Sequence, residues 1–151
     1  MPNELLYHFF DDDDFLMISE KIKEMEKITS GEIRVALKES VPYFKRKKDI
    51  KELAREEFHN LKMDETRDKT GILIFILLAS RRFFIAADSG INSKVKQETW
   101  DKIRDEMESQ FKLGHFVEGI VSAIDGVGNV LSDYFPIKSD DTNELSNKVV
   151  L

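Results

Sequence analysis

The sequence contains no cysteine, and this absence excludes several kinds of chemistry at once. Disulfide frameworks, cysteine-ligated zinc, iron–sulfur clusters and thiol nucleophiles all need that residue. The three histidines, His8, His59 and His115, lie far apart and form no zinc-binding pattern. Metal chemistry is therefore left to carboxylates, whose oxygen atoms favour hard ions such as Ca²⁺ and Mg²⁺.

Positive charge is scarce relative to negative charge. The 151 residues include 23 Lys and Arg against 29 Asp and Glu, a net charge of −6, which disfavours a nucleic-acid partner. The longest apolar run, residues 71 to 80, has about half of the roughly 20 residues that a membrane-spanning helix needs. The first ten residues lack the basic start and the small-residue cleavage site of a secretory signal. We therefore expect a cytoplasmic protein with no membrane insertion.

Hydrophobic periodicity predicts alternating helices and strands, the pattern of an α/β fold. The predicted elements are helices over residues 11–28, 50–61, 95–113 and 116–134, and strands over residues 32–38, 72–78 and 83–87. The strand over residues 72–78 shows no polar alternation, so we expect it at the centre of the sheet. Residues 1–136 are predicted to form one domain and residues 137–151 a polar tail with a short apolar end.

Four carboxylates are predicted to meet at one edge of this sheet. A helix joins the first two strands, so they should be parallel, and their N-terminal ends should share an edge. An antiparallel third strand would end at that same edge. Glu32, Asp68 and Asp88 are thus candidate ligands of Ca²⁺ or Mg²⁺, with Asp64 in reserve. The alternative is that each acid solvates a loop, caps a helix or pairs with a nearby Arg or Lys.

Three other patterns favour structural roles. The four aspartates at residues 11 to 14 are typical of a helix start. The basic residues 45 to 48 are expected to form a solvated loop, because no aromatic residues are interleaved with them. Trp100 lies at helical spacing from other apolar residues, which favours a place in the core.

Four segments stand out by their order and spacing. They are Thr29-Ser30-Gly31-Glu32-Ile33-Arg34-Val35, Thr70-Gly71-Ile72-Leu73-Ile74, Asp88-Ser89-Gly90-Ile91-Asn92-Ser93-Lys94-Val95 leading to Trp100, and Phe111-Lys112-Leu113-Gly114-His115-Phe116-Val117-Glu118-Gly119. Together they resemble the TPM domain family, over about residues 13 to 136. Residues 140 to 145 also resemble the tail of its short, soluble bacterial members. The resemblance implies a three-layer α/β/α sandwich of Rossmann-like appearance, with helices on both faces of a small mixed sheet.

The resemblance also implies a function. Members of the family are described as binding calcium or related divalent ions, and a plant thylakoid member as an acid phosphatase. Glu32 and Asp88 lie in matching segments, whereas many short members carry a different residue at the position of Asp68.

Three functions follow as hypotheses. The first is a divalent-cation-binding module in which the ion clamps the loops 62–70 and 88–95 and controls a surface for a protein partner. The second is a metal-dependent phosphatase acting on phosphomonoesters, with Arg34 or Lys69 holding the anion. The third is an interaction module that needs no metal.

Overall fold

The computed structural model describes residues 4–137 and 146–151. Its three strands form one mixed sheet in the order β1-β2-β3, in which β1 and β2 are parallel and β2 and β3 are antiparallel. The strands are β1 Glu32–Lys38, β2 Gly71–Leu77 and β3 Arg82–Ala87. The central place predicted for the apolar strand, which is β2, is confirmed, and so are both strand directions.

Six α-helices surround the described sheet. They are α1 Glu4–Phe9, α2 Asp12–Met25, α3 Ile50–Asn60, α4 Ser89–Asn92, α5 Gln97–Lys112 and α6 Phe116–Tyr134, and two 3₁₀ turns span Tyr43–Lys45 and Met63–Glu65. Every helix and strand that the sequence predicts is present, with ends within three residues of those predicted. The short helices α1 and α4 were not predicted. In the described ranges each helix is too short or too polar to cross a bilayer.

The start of α2 is fixed by a reciprocal pair of aspartates. The Asp14 N–H donates to the Asp11 carboxylate at 2.8 Å, and the Asp11 N–H donates to the Asp14 carboxylate at 3.0 Å. This capping box satisfies free N–H groups of the first turn, and it confirms the helix-start interpretation of residues 11 to 14. The other end was predicted too late, because α2 stops at Met25 and Ile28 is 42% exposed.

Helices cover both faces of the sheet and create two cores. One core joins alternate strand residues such as Ile33 and Ile74 to α2, α5 and α6. The other joins the intervening residues, such as Leu73, to α3. The predicted three-layer α/β/α sandwich is confirmed. The face of β1 that is turned toward α3 is more buried than its polar residues suggest. Glu32 is only 5% exposed and Ala36 is fully buried.

The predicted tail is described only in part. Residues 138–145, which include the segment similar to the tail of short bacterial members, lie outside the described residues. Farther along, Val150 forms a parallel bridge with Ala36 of β1. The last six residues therefore contact the outer edge of the sheet.

Candidate metal centre at one end of the sheet

The start of β2 lies between the two acids predicted at this end of the sheet. Glu32 is opposite Gly71 in the β1–β2 register, and its N–H donates to the Thr70 oxygen at 2.9 Å. On the other side, the Asp88 N–H donates to the Gly71 oxygen at 2.9 Å. The parallel and antiparallel strand pairs thus bring Glu32 and Asp88 to the same end of the sheet.

Both acids occupy positions whose side chains are expected on the face of the sheet that packs against α3. Glu32 is four residues before Ala36, and Asp88 is two residues after Ala86; both alanines belong to the core on the α3 side. Successive side chains of an extended chain point to opposite faces. We therefore assign both carboxylates to the α3 side of the sheet end.

The loops 62–70 and 88–95 are in contact through Gly90. The Gly90 N–H donates to the Lys69 oxygen at 2.9 Å. A Cβ atom at Gly90 would lie 2.4 Å from the Asp68 main-chain oxygen and 2.5 Å from that of Lys69, closer than real side chains approach. The absence of a side chain at this position is what lets the two loops touch.

Asp88 has one satisfied and one unsatisfied carboxylate oxygen. Oδ1 accepts a hydrogen bond from the Ser89 N–H at 2.7 Å and so caps α4. Oδ2 is buried and accepts no hydrogen bond from the residues that the structure describes. A buried carboxylate oxygen without a donor is costly, and a bound cation would remove that cost.

The other two predicted acids are engaged by neighbouring side chains. Asp64 Oδ2 lies 3.0 Å from His59 Nδ1, and this hydrogen bond lowers the pKa of Asp64 below its usual value. Asp68 Oδ2 lies 3.1 Å from Arg67 Nη2. Within residues 4–137 and 146–151, no three His, Asp or Glu side chains converge as metal ligands. The four predicted acids thus share a region but do not form a single ligand cluster.

The two residues considered as anion holders differ in their surroundings. Arg34 is half-buried on β1, and its buried Nε donates no hydrogen bond to the described residues. Lys69 donates from Nζ to the main-chain oxygen of Asp64. Lys69 also adopts a left-handed backbone conformation, with φ of 56°.

Sequence reasoning missed the side chains that hold the end of β3. Arg55 Nη1 and Asn92 Nδ2 both donate to the Ala87 oxygen, at 2.8 and 3.0 Å. Arg55 belongs to α3 and reaches the sheet only because that helix crosses it. Arg55 is one of several charged residues in α3, and nothing in the neighbouring sequence indicated that it contacts the sheet.

A half-buried carboxyl, Glu26, was also missed. Its Oε2 accepts from the Ile33 N–H at 2.8 Å, and its Oε1 accepts from the Asn147 side-chain amide. Burial raises the pKa of Glu26 to about 7, and the nearby charge of Glu32 acts in the same direction. Glu26 lies in a polar stretch of the sequence, and one of its hydrogen-bond donors, Asn147, is 121 positions away. The sequence around Glu26 therefore did not indicate this role.

Comparison with known proteins concerns the family and the fold. The family model of the TPM domain matches residues 7–130. The NMR structure of the BA42 protein from the psychrophilic bacterium Bizionia argentinensis is 39% identical to this chain, with a TM-score of 0.83 over 94% of both chains.

A more distant structure shares the fold alone. The N-terminal domain of a protein from P. gingivalis, also solved by NMR, is 16% identical, with a TM-score of 0.67 over 84% of this chain and 79% of that one. No curated protein matches the chain. On the family match and the similarity to the BA42 protein, the chain belongs to the TPM domain family.

Proposed function

We propose that this TPM domain binds a divalent cation, Ca²⁺ or Mg²⁺, at the sheet end between the loops 62–70 and 88–95. The observation that carries the proposal is Asp88 Oδ2, a buried carboxylate oxygen that accepts no hydrogen bond from the described residues. A hard cation would satisfy that oxygen. Since Gly90 already holds the two loops together, an ion beside Asp88 would reinforce their contact.

The donors at this sheet end suit a hard ion. Asp88 would be the principal ligand, with the Glu32 carboxylate and the Asp68 main-chain oxygen as further oxygen donors. The Asp68 carboxylate could join them by leaving Arg67, because exposed ion pairs of this kind contribute little stability. Since few ligands are preorganised, we expect weak binding, with a Kd on the order of 0.1–1 mM.

Bound in this way, the ion would act on the shape of a surface. Loops 62–70 and 88–95 come from different parts of the chain, and a ligand that bridges them orders both together. A protein partner that recognises the ordered loops would then bind better when the cation is present. This control of a partner surface is the functional consequence that we propose.

Thermal unfolding with and without Ca²⁺ or Mg²⁺ tests the proposal. At ten times its Kd an ion stabilises the folded state by about 1.4 kcal/mol, which raises Tm by about 3–6 °C in a chain of this size. Asp88→Asn keeps an oxygen to cap α4 but removes the charge, so it should abolish this rise.

Asp12→Asn is the matched control, since it removes the same charge from an exposed position in the first turn of α2. It should keep the full rise in Tm. Equal ionic strength in all samples separates binding from screening. An unmodified chain whose Tm does not respond to either ion contradicts the proposal, as does an equal response from Asp88→Asn.

The phosphatase and the metal-free alternatives stay predictions. The phosphatase predicts hydrolysis of p-nitrophenyl phosphate that a chelator stops and that Glu32→Gln abolishes. The metal-free interaction module predicts neither hydrolysis nor a cation-dependent Tm. A cation-dependent Tm without hydrolysis is the result expected of the function proposed above.

A further inference from the structure

The outer edge of β1 is covered by residues from distant parts of the chain. In the sheet, β1 pairs with β2 on one side only. On its other side, the Ile33 N–H donates to the Glu26 carboxylate at 2.8 Å. The Val150 N–H donates to the Val35 oxygen at 2.9 Å, and the Leu37 N–H donates to the Val150 oxygen at 2.8 Å. Three main-chain groups that another strand could otherwise pair with, the Ile33 N–H, the Val35 oxygen and the Leu37 N–H, are thereby satisfied.

The covering residues behave as a short added strand. We call residues 146–151 the end segment. Val149 packs against the core on the side of α2, α5 and α6, and Val150 packs against the core on the α3 side, so the two side chains alternate across the sheet as strand residues do. Lys38 Nζ donates to the Leu151 oxygen at 3.1 Å, and the Asn147 amide donates to Glu26.

The main chain of the end segment has only a short contact with β1. In the part of the chain that the structure describes, the segment forms one bridging residue pair with β1 rather than a long ladder. Its two main-chain hydrogen bonds oppose the entropy lost when several residues become ordered. Val149 and Val150 are only partly buried. A segment held in this way exchanges with competitors, and its departure leaves the Val35 oxygen and the Leu37 N–H ready to pair with another chain.

We propose that the outer edge of β1 is a binding site for an extended segment of a partner protein, which the end segment occupies until the partner displaces it. The partner segment would carry Asn or Gln, one spacer residue and two successive aliphatic residues, the pattern of Asn147 to Val150. Backbone pairing supplies the affinity and the side-chain pattern the selectivity, as in other cases of strand addition. The amide is selected because it donates to Glu26, which when ionised would repel an acid at that position. The site does not depend on the proposed cation.

The test is an NMR titration of the full chain with the hexapeptide Ser-Asn-Lys-Val-Val-Leu, the sequence of the end segment. Val150→Pro in the chain removes the N–H that pairs with Val35, so the Leu37 amide should lose its protection from hydrogen exchange. The hexapeptide should then restore this protection and shift the Leu37 amide resonance. A hexapeptide with proline at the Val150 position should do neither, because it lacks the same donor.

The unmodified chain and Leu151→Ala are the controls. Leu151→Ala trims an exposed side chain and keeps the oxygen that Lys38 contacts. Both chains should bind the hexapeptide at least about tenfold more weakly than Val150→Pro does, because the end segment competes at high effective concentration. If Val150→Pro fails to fold, Asn147→Ala replaces it, since it removes the amide that donates to Glu26 and loosens the segment without touching the strand positions.

Three results would overturn the proposal. The first is a released edge, with the Leu37 amide exchanging freely, that gives no shift with millimolar hexapeptide. The second is a Leu37 amide that stays protected in the folded variants, which would mean that the end segment is not displaceable. The third is equal binding to the variant and to the unmodified chain, which would place the peptide elsewhere. Should neither variant fold, the unmodified chain decides with a hexapeptide that carries a spin label at its first residue, because exchange with the identical end segment need not shift Leu37. Millimolar labelled peptide should broaden the Leu37 amide resonance, and an unbroadened resonance refutes the site.

Discussion

Glu26 and Asp88 are both partly removed from water, yet their carboxylates have opposite surroundings. Both oxygens of Glu26 accept hydrogen bonds, from the Ile33 N–H and from the Asn147 amide. Only one oxygen of Asp88 does so among the described residues, and the other is buried without a donor. Burial alone therefore does not mark a binding site. What separates the two groups is the number of donors that the protein itself provides.

This difference in hydrogen bonding indicates different roles for Glu26 and Asp88. One Glu26 oxygen accepts a hydrogen bond from the Ile33 N–H at the outer edge of β1, and the other accepts one from Asn147 of the end segment. Both oxygens therefore serve the fold. Asp88 uses one oxygen to cap α4 and leaves the other for a ligand. The strongly raised pKa of Glu26 would suggest a functional residue if taken alone, whereas its hydrogen bonds show a structural one.

The largest expected effect is a pH dependence of stability that comes from Glu26. Its pKa rises from 4.5 to about 7 in the folded state, mainly because it is buried. The folded state therefore binds this proton more tightly than the unfolded state does. The stability so contributed is fully present below about pH 4.5 and is lost as the pH rises through about 7, a total on the order of 3 kcal/mol.

Urea unfolding at about pH 5 and about pH 8 measures this loss. Glu26→Gln, which keeps an acceptor for the Ile33 N–H but cannot ionise, should unfold with much less dependence on pH. The difference between the two chains isolates Glu26 from other titrating groups. If both chains lose the same stability between these pH values, Glu26 does not titrate as the structure implies.

The next effect concerns the contact between the loops beside Asp88. Gly90→Ala places a Cβ atom 2.4 Å from the Asp68 main-chain oxygen, so the loops must separate, at a cost of roughly 1–3 kcal/mol. The response of Tm to Ca²⁺ should fall with it. Gly126→Ala is the control, because its Cβ atom meets Ile103 at an ordinary 3.5 Å, and an alanine inside α6 should raise stability by up to about 1 kcal/mol. Equal losses in both variants would refute the close approach at Gly90.

The smallest effect is expected at Asp64, one of the four predicted acids. Its carboxylate pairs with His59 and is not proposed as a ligand. Asp64→Asn should leave the rise in Tm with Ca²⁺ unchanged, measured beside Asp88→Asn under the same conditions. A loss as large as that of Asp88→Asn would move the site toward the loop 62–70 and away from the sheet end.

Elements with strong local patterns were predictable from the sequence. The apolar run of β2 and the periodicity of α6 gave bounds within one residue of those observed. The directions of the strands followed from connectivity alone, which is why Glu32 and Asp88 could be expected at one end of the sheet. The capping role of residues 11 to 14 was readable because both partners are near in sequence.

Side-chain partners were much less predictable. The donors to Glu26 come from β1 and from residue 147, and Arg55 reaches the sheet from another helix, so only the assembled fold brings them together. The pairs of Asp64 with His59 and Asp68 with Arg67 are local. The sequence allowed these pairs, but it also allowed a common metal site, and rotamers decide between the two.

The most direct test is a calcium titration followed by the backbone and side-chain amide resonances. It asks whether Asp88, which has one oxygen without a donor among the described residues, binds the cation while Glu26, whose two oxygens both accept hydrogen bonds, does not. The largest shifts should occur at the Ser89 and Gly90 amides, next to Asp88. The side-chain amide of Asn147, which reports on Glu26, should move little. Unmoved Ser89 and Gly90 amides at saturating Ca²⁺, or a larger shift at Asn147, would contradict the distinction between the two carboxyls.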